Sequence, residues 1–234
     1  MNLILFDIDG TLTNTLNLDD SLYRQALAEI HNIEVSDCDW EDYKKFTGGS
    51  DSGMTYKIFS EKLGRAPSRA EYEDLKNQFL YSLQSVAESN PKAFIEITGA
   101  KALLDYIAEQ QDYRIGIATG SWQKSGEIKL KCLDIDYYGM PFGNAEFYHK
   151  RQEIVQSAIN QARIIYDAYR FDNIIYVGDG VWDLKTANDL EIDFIGVDFA
   201  ESGVLGKQGT KYVIKDFTDI ALFAELLNKL SEPA

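Results

Sequence analysis

Cysteine is scarce in this chain of 234 residues: there are two, Cys38 and Cys132, at a spacing that fits neither a metal knuckle nor a disulfide framework. Reduced structural thiols are the expectation, which suits a cytoplasmic protein. Histidine is equally rare, and His149 has no partner at metal-site spacing. Basic residues are outnumbered by 23 to 38, giving a net charge of −15. Binding to nucleic acid depends on cationic contacts to phosphate, so that class of partner is not expected. A small anionic substrate remains compatible, because a metal and a few basic groups set the local field. No apolar run approaches the roughly 18 residues of a membrane span. The first such run stops at Asp7 with no basic residue before it, too short for a signal peptide. Phosphate-binding glycine loops are missing too. The stretch 201–210 is Gly-rich but lacks the GxxxxGK[ST] spacing and reads as a surface loop, and no GxGxxG follows any strand.

What is present is organised around the first strand. Leu3-Ile4-Leu5-Phe6 is an apolar run ending in Asp7-Ile8-Asp9-Gly10-Thr11, the pattern of a strand buried on both faces and closed by a turn. Asp7 and Asp9, two residues apart at a strand end, point to the same side. Neighbouring buried carboxylates repel, so a cation belongs between them, and Mg²⁺ prefers hard oxygen ligands. The alternative reading is a helix N-cap, a common use of Asp, Gly and Thr after a strand.

The segment 12–18 is polar and reads as a mobile connection. From about 19 to 91 the apolar period is helical throughout. Leu22, Ala26, Leu27 and Ile30 form one stripe, Met54, Ile58 and Leu63 a weaker one stopped by Gly64, and Ser68-Arg69-Ala70-Glu71 is a capping box ahead of a third. Beyond it helices alternate with short apolar strands. Helices are expected near 98–110, 122–133, 152–169, 183–190 and 218–230, and strands at 114–118, 174–177, 194–197 and 212–214. Such alternation means a parallel sheet with right-handed crossovers, and ligands at its strand carboxyl ends. The fold class is therefore α/β: a Rossmann-like parallel sheet core, 1–15 and 94–234, with an inserted all-helical cap, 16–93.

Three stretches carry a family resemblance. Asp7-Ile8-Asp9-Gly10-Thr11, Ile115-Gly116-Ile117-Ala118-Thr119-Gly120-Ser121 and Val177-Gly178-Asp179-Gly180-Val181-Trp182-Asp183 match, in order, the first, second and fourth motifs of the haloacid dehalogenase-like hydrolase superfamily. The third, a basic residue ahead of a helix, is matched by Lys150 or Arg151. The chain resembles the helical-cap branch that holds phosphoglycolate phosphatase and beta-phosphoglucomutase-like enzymes. The resemblance implies a Mg²⁺-dependent phosphatase acting on a small phosphorylated metabolite through an aspartyl-phosphate. Asp7 would be the nucleophile and Asp9 the acid and base for the leaving alcohol. Thr119 with the amides of Gly120 and Ser121, beside Gly10 and Thr11, would bind the phosphoryl group. Lys150, preferred over Arg151, would neutralise it. Asp7, Asp179 and the main-chain carbonyl of Asp9 would hold the metal, with Asp183 on a metal-bound water or on the basic residue. The long interval between Asp7 and Thr119 has room for a cap, and the short one from Thr119 to Lys150 has none for a second domain. Within the cap, Lys45, Thr47 and Gly48 fall where relatives carry a substrate-specificity loop, although an interhelical turn would look the same. A phosphotransferase of the beta-phosphoglucomutase type and a non-catalytic Mg²⁺-binding module are the competing readings. A monomer or small homo-oligomer is expected.

Overall fold

The computed structural model describes residues 1–231. Its sheet has six strands, β1 (Asn2–Phe6), β2 (Tyr113–Ala118), β3 (Phe142–Gly143), β4 (Ile174–Gly178), β5 (Asp193–Val197) and β6 (Val213–Ile214). They lie in the order β3-β2-β1-β4-β5-β6 and every pairing is parallel. The first strand is thus a central one. Leu3, Ile4, Leu5 and Phe6 are fully buried, and the strand's two-residue period divides them between two cores. Ile4 and Phe6 pack with Leu103, Leu104 and Ile107 of α5 (Ala100–Ala108) and with Phe223 and Leu227 of α10 (Ile220–Ser231). Leu3 and Leu5 pack with Val155, Ala158 and Ile159 of α7 (Arg151–Ile165) and with Ala187 of α8 (Val181–Asp189). Each such side chain contributes roughly 1.5–3 kcal/mol by leaving water, which fixes the strand's register.

Four helices lie between β1 and α5: α1 (Leu16–His31), α2 (Asp37–Thr47), α3 (Asp51–Leu63) and α4 (Arg69–Ser89). Serines cap three of them, Ser36, Ser50 and Ser68, and the capping box of Ser68 with Glu71 is complete. Gly48 and Gly64 end α2 and α3 in the left-handed conformation. This cap is clamped on the sheet domain by Trp122, a fully buried residue at the start of α6 (Gln123–Cys132). Its ring stacks on Tyr23 at 5.6 Å and lies 5.7 Å from Phe79, and its Nε1–H donates to the Tyr72 hydroxyl at 2.7 Å.

Several local expectations are corrected. The connection at 12–18 is not a mobile linker: Leu12, Thr13 and Thr15 are buried, Thr13 bridges to Asp9 and Glu96, and α1 starts at Leu16. The helix expected to reach residue 169 stops at Ile165, where the chain turns through Asp167 with φ of 48°. The Gly-rich stretch contains the single helical turn α9 (Val204–Lys207). β3, two residues long, has no alternating pattern to announce it. No helix of the described chain is long and apolar enough to cross a membrane.

Candidate active site

Register brings the three motif strands together. Phe6 pairs with Ile117 on one side and Val177 on the other, and the Asp7 amide donates to the Val177 carbonyl at 2.9 Å. Asp7, Thr119 and Asp179 therefore emerge side by side at the carboxyl edge of the sheet, where successive strands run out into loops.

Asp7 is buried, and one of its oxygens accepts the Ile8 amide at 2.8 Å. The Arg151 guanidinium lies on the same oxygen, Nη1 at 3.4 Å. Arg151 is itself buried; its Nε donates to the Gly48 carbonyl at 3.0 Å and stands 3.5 Å from Asp183 Oδ1. Asp183 serves its helix too, accepting the Gly180 amide at 3.0 Å, and it accepts the Tyr176 hydroxyl at 2.9 Å. So Asp183 caps α8 and also stands against the basic residue, one of the two positions the resemblance allowed it. The basic residue beside Asp7 is Arg151, however, and not the preferred Lys150. Lys150 occupies the N-cap position of α7 with its side chain exposed, whereas Arg151, one residue on, turns inward.

Asp7, Asp179 and Asp183 each offer a carboxylate oxygen within 4.8 Å of the others. Burial pushes Asp7 up to about 7, with Arg151 opposing and Asp183 and Asp9 adding. Burial, reinforced by neighbouring carboxylates, also lifts Asp179 well above its usual range, and burial lifts Asp183. Asp179 Oδ1 is buried without a hydrogen-bond partner. Gly10, at φ 80°, leaves the space beside it: a Cβ there would lie 2.1 Å from Asp179 Oδ2. A crowded set of oxygen ligands with an unsatisfied acceptor fits a hard divalent cation.

Asp9 is in a different environment. Its carboxylate accepts the hydroxyls of Thr15 at 2.5 Å and Ser121 at 2.7 Å and the Lys129 ammonium at 2.6 Å. Burial alone would raise it, but the charge and hydrogen bond of Lys129, with the two hydroxyls, outweigh burial and hold Asp9 below the usual carboxylate range. Lys129 is fully buried on α6; it also pairs with Asp19 of α1 and donates to Ser121 Oγ at 3.0 Å. Sequence reasoning missed Lys129.

Thr119 is buried, and its Oγ1 accepts the Ser121 amide at 3.2 Å. Gly120 contacts the cap: its carbonyl accepts the Asp51 amide at 2.8 Å, and a Cβ on it would meet the Gly49 carbonyl oxygen at 2.3 Å. Thr11 is buried with its hydroxyl unpartnered. Asp7, Asp9, Thr119 and Arg151 share a small cavity of about 60 Å³ with Asp19 and Asp51 of the cap. Lys45, Thr47, Gly48 and Lys150 do not line it. They border a separate groove of about 650 Å³ that also takes in Lys57 and Lys185. The wall between the two is built by Gly48 and Gly49, both at positive φ, against Arg151 and the Trp182 ring.

The crowding has a measurable consequence. Asp7 and Asp51 titrate near 7 in the folded chain, above their unfolded values. Groups of this kind bind more protons folded than unfolded, so their contribution is complete at low pH and is lost as pH rises through about 7. With a chelator present, the melting temperature should therefore fall between about pH 5 and 8, and added Mg²⁺ should restore most of the loss at pH 8. Asp9 has the opposite sign but titrates below this window. Thermal denaturation across that range checks it; a flat or rising profile without metal would show that burial and neighbouring carboxylates do not hold these groups up.

A model of the family described as haloacid dehalogenase-like hydrolase matches residues 4–197. No curated protein matches the sequence at a significant level. Among solved structures, a hydrolase from Pseudomonas syringae superposes with a TM-score of 0.73 at 21% identity over 99% of both chains. The family IA variant 3 hydrolase from Entamoeba histolytica gives 0.67 at 17% identity, over 99% of this chain and 100% of that one. CbbY from Rhodobacter sphaeroides, solved in complex with phosphate, gives 0.66 at 15% identity over 93% and 95%. With the profile spanning most of the sequence and the three motif strands adjacent in one parallel sheet, this chain belongs to the haloacid dehalogenase-like hydrolase family.

Proposed function

We propose that the chain is a Mg²⁺-dependent phosphatase that hydrolyses a small phosphate monoester through a phosphorylated Asp7. The observation that carries this reading is the contrast between two carboxylates two residues apart. Asp7 faces a guanidinium and two further carboxylates, and Asp9 is tied to an ammonium and two hydroxyls. The first environment places a carboxylate where a guanidinium also meets the phosphoryl group, as a nucleophile requires, and the second keeps Asp9 ionised at rest, as the base that activates water must be.

Asp7, Asp179 and Asp183, with the main-chain carbonyl of Asp9, would hold Mg²⁺, which when bound neutralises charge between the carboxylate and the phosphoryl oxygens. The remaining work falls to the chain itself. An Asp7 oxygen attacks phosphorus as the ester P–O bond breaks; Asp9, which Lys129 holds ionised at rest, first takes the proton of the bound monoanionic ester and then passes it to the departing alkoxide. Asp9, now the carboxylate that its Lys129 pair favours, takes a proton from water as that water displaces Asp7 from phosphorus. Arg151 stabilises the charge on the transferring group, as a guanidinium does by its forked donors. The hydroxyl of Thr119 and the amides of Gly120 and Ser121 supply further donors. The cavity is bordered by the cap through Asp19, Asp20, Lys44, Gly49 and Asp51, which places cap side chains beside the reacting group.

The test is a panel of phosphate monoesters that includes an aryl phosphate, assayed with Mg²⁺ and with chelator. Metal-dependent release of inorganic phosphate is the expected result. Conversion of the ester to an isomer without phosphate release would replace hydrolysis by phosphoryl transfer, and no reaction with any ester would leave a binding module.

A further inference from the structure

The phosphatase reading leaves the alcohol half of the ester open, and the cap side of the cavity bears on it. That side is formed by Leu16, Asp19, Asp20, Lys44, Gly49 and Asp51. Lys44 is the one cation among them, and it is committed to Asp20, with Nζ at 2.9 and 3.2 Å from the two carboxylate oxygens. The buried ammonium of Lys129 is committed to Asp9 and Asp19. Asp51 has no cation of its own among the described residues. Its Oδ2 accepts the Trp122 amide at 2.8 Å, and no protein donor reaches Oδ1. The backbone of Asp51 is fixed at both ends, its amide on the Gly120 carbonyl at 2.8 Å and its carbonyl accepting the Tyr23 hydroxyl at 2.9 Å. Asp19 Oδ1 is likewise buried and unpartnered.

We propose that the ester hydrolysed is the monophosphate of a neutral or cationic alcohol, a polyol or an amino alcohol, and that Asp51 selects it by accepting a hydrogen bond from that alcohol's hydroxyl or ammonium group. The proposal rests on the phosphatase reading and specifies its substrate class. A carboxylate or second phosphate on the leaving group would be pressed against a carboxyl that no cation pairs with directly among the described residues, Lys129 and Arg151 acting on it only from a distance. Burial that pushes Asp51 up to about 7 is the same strain felt from the protein's side. A hydroxyl or ammonium donor relieves that strain; an anion adds to it. The lysines able to receive a remote anion, Lys45, Lys57, Lys150 and Lys185, border the groove beyond the wall of Gly48, Gly49 and Trp182.

The experiment compares kcat/KM, with Mg²⁺, for glycerol 1-phosphate, phosphoethanolamine, phosphoglycolate and fructose 1,6-bisphosphate in the full chain and in Asp51→Asn. An aryl phosphate is the control for phosphatase activity. Asparagine keeps an oxygen for the Trp122 amide but gives up the charge. Wild type should favour the better of the first two esters over both anionic ones by at least about tenfold, and Asp51→Asn should shrink that ratio by about the same factor. Preference of wild type for phosphoglycolate or the bisphosphate overturns the inference while leaving phosphatase activity intact. Equal losses on all four esters in Asp51→Asn overturn it as well, since the residue would then support the fold or cap closure only. Inactivity toward every ester, the aryl phosphate included, removes the phosphatase reading and this inference with it.

Discussion

Asp7→Asn is expected to lower kcat by on the order of 10⁴-fold or more, since removing a nucleophile removes the covalent route itself. The substitution is nearly isosteric, so the Ile8 amide keeps its acceptor and β1 keeps its place. What disappears is the charge that faces Arg151 and the oxygen that attacks. Circular dichroism should show an unchanged fold, which separates lost chemistry from lost structure. In wild type quenched during turnover, mass spectrometry should find the phosphoryl group on the peptide carrying Asp7. Turnover of Asp7→Asn within tenfold of wild type would falsify the covalent mechanism.

Arg151→Met is expected to be nearly as damaging, and in two ways. The guanidinium is buried between Asp7 and Asp183 and also donates to the Gly48 carbonyl. Removing one partner of a buried ionic set leaves uncompensated charge, at a cost of about 3–5 kcal/mol in stability. Asp7 loses the main group that opposes the effect of burial, so its carboxyl titrates still higher and less of it is ionised near neutral pH. The transferring phosphoryl loses a fixed cationic donor, worth roughly 10²–10³ in kcat. Lys150→Met, one residue away, should change stability by no more than about 0.5 kcal/mol, as for other exposed side chains, and should leave kcat near wild type. Melting curves and kcat for the two variants decide between the neighbours. A larger loss of kcat in Lys150→Met than in Arg151→Met would reverse the assignment.

The contrast between those neighbours shows where the sequence stops being legible. Three apolar runs ending in Asp7, Thr119 and Asp179 were readable because a strand buried on both faces has few other ways to be written. The parallel sheet followed from helices alternating with those runs. Cap signals were equally local, as with Gly64 and the Ser68–Glu71 box. Lys150 and Arg151, by contrast, differ only by one step at the mouth of a helix. Which of the two turns inward depends on how α7 sits against the sheet, and spacing carries no trace of that. Lys129 was hidden for a related reason, since a lone lysine in a helix is ordinarily a solvated charge. The available signal was its place on the face of α6 that also buries Ser125 and Gly126. A lysine on such a face needs a carboxylate, and this one has two. Lys45 and Thr47 border the larger groove, whereas Gly49 and Asp51, a few residues on, line the cavity at Asp7, a division that spacing alone does not reveal.

The central position of β1 also sets an order of events during synthesis. This strand precedes every other described element, yet its two edges are filled by β2 at 113–118 and β4 at 174–178. The helices at 16–89 can form from neighbouring sequence while Asn2–Phe6 waits with unpaired amides and carbonyls on both sides. Pairings between such distant segments are the slow ones in folding, and they leave apolar edges exposed until they close. A chain that stops before Asp179 cannot bring Asp7 and Asp179 together, so the site is completed only once β4 is made, after the cap helices that will cover it.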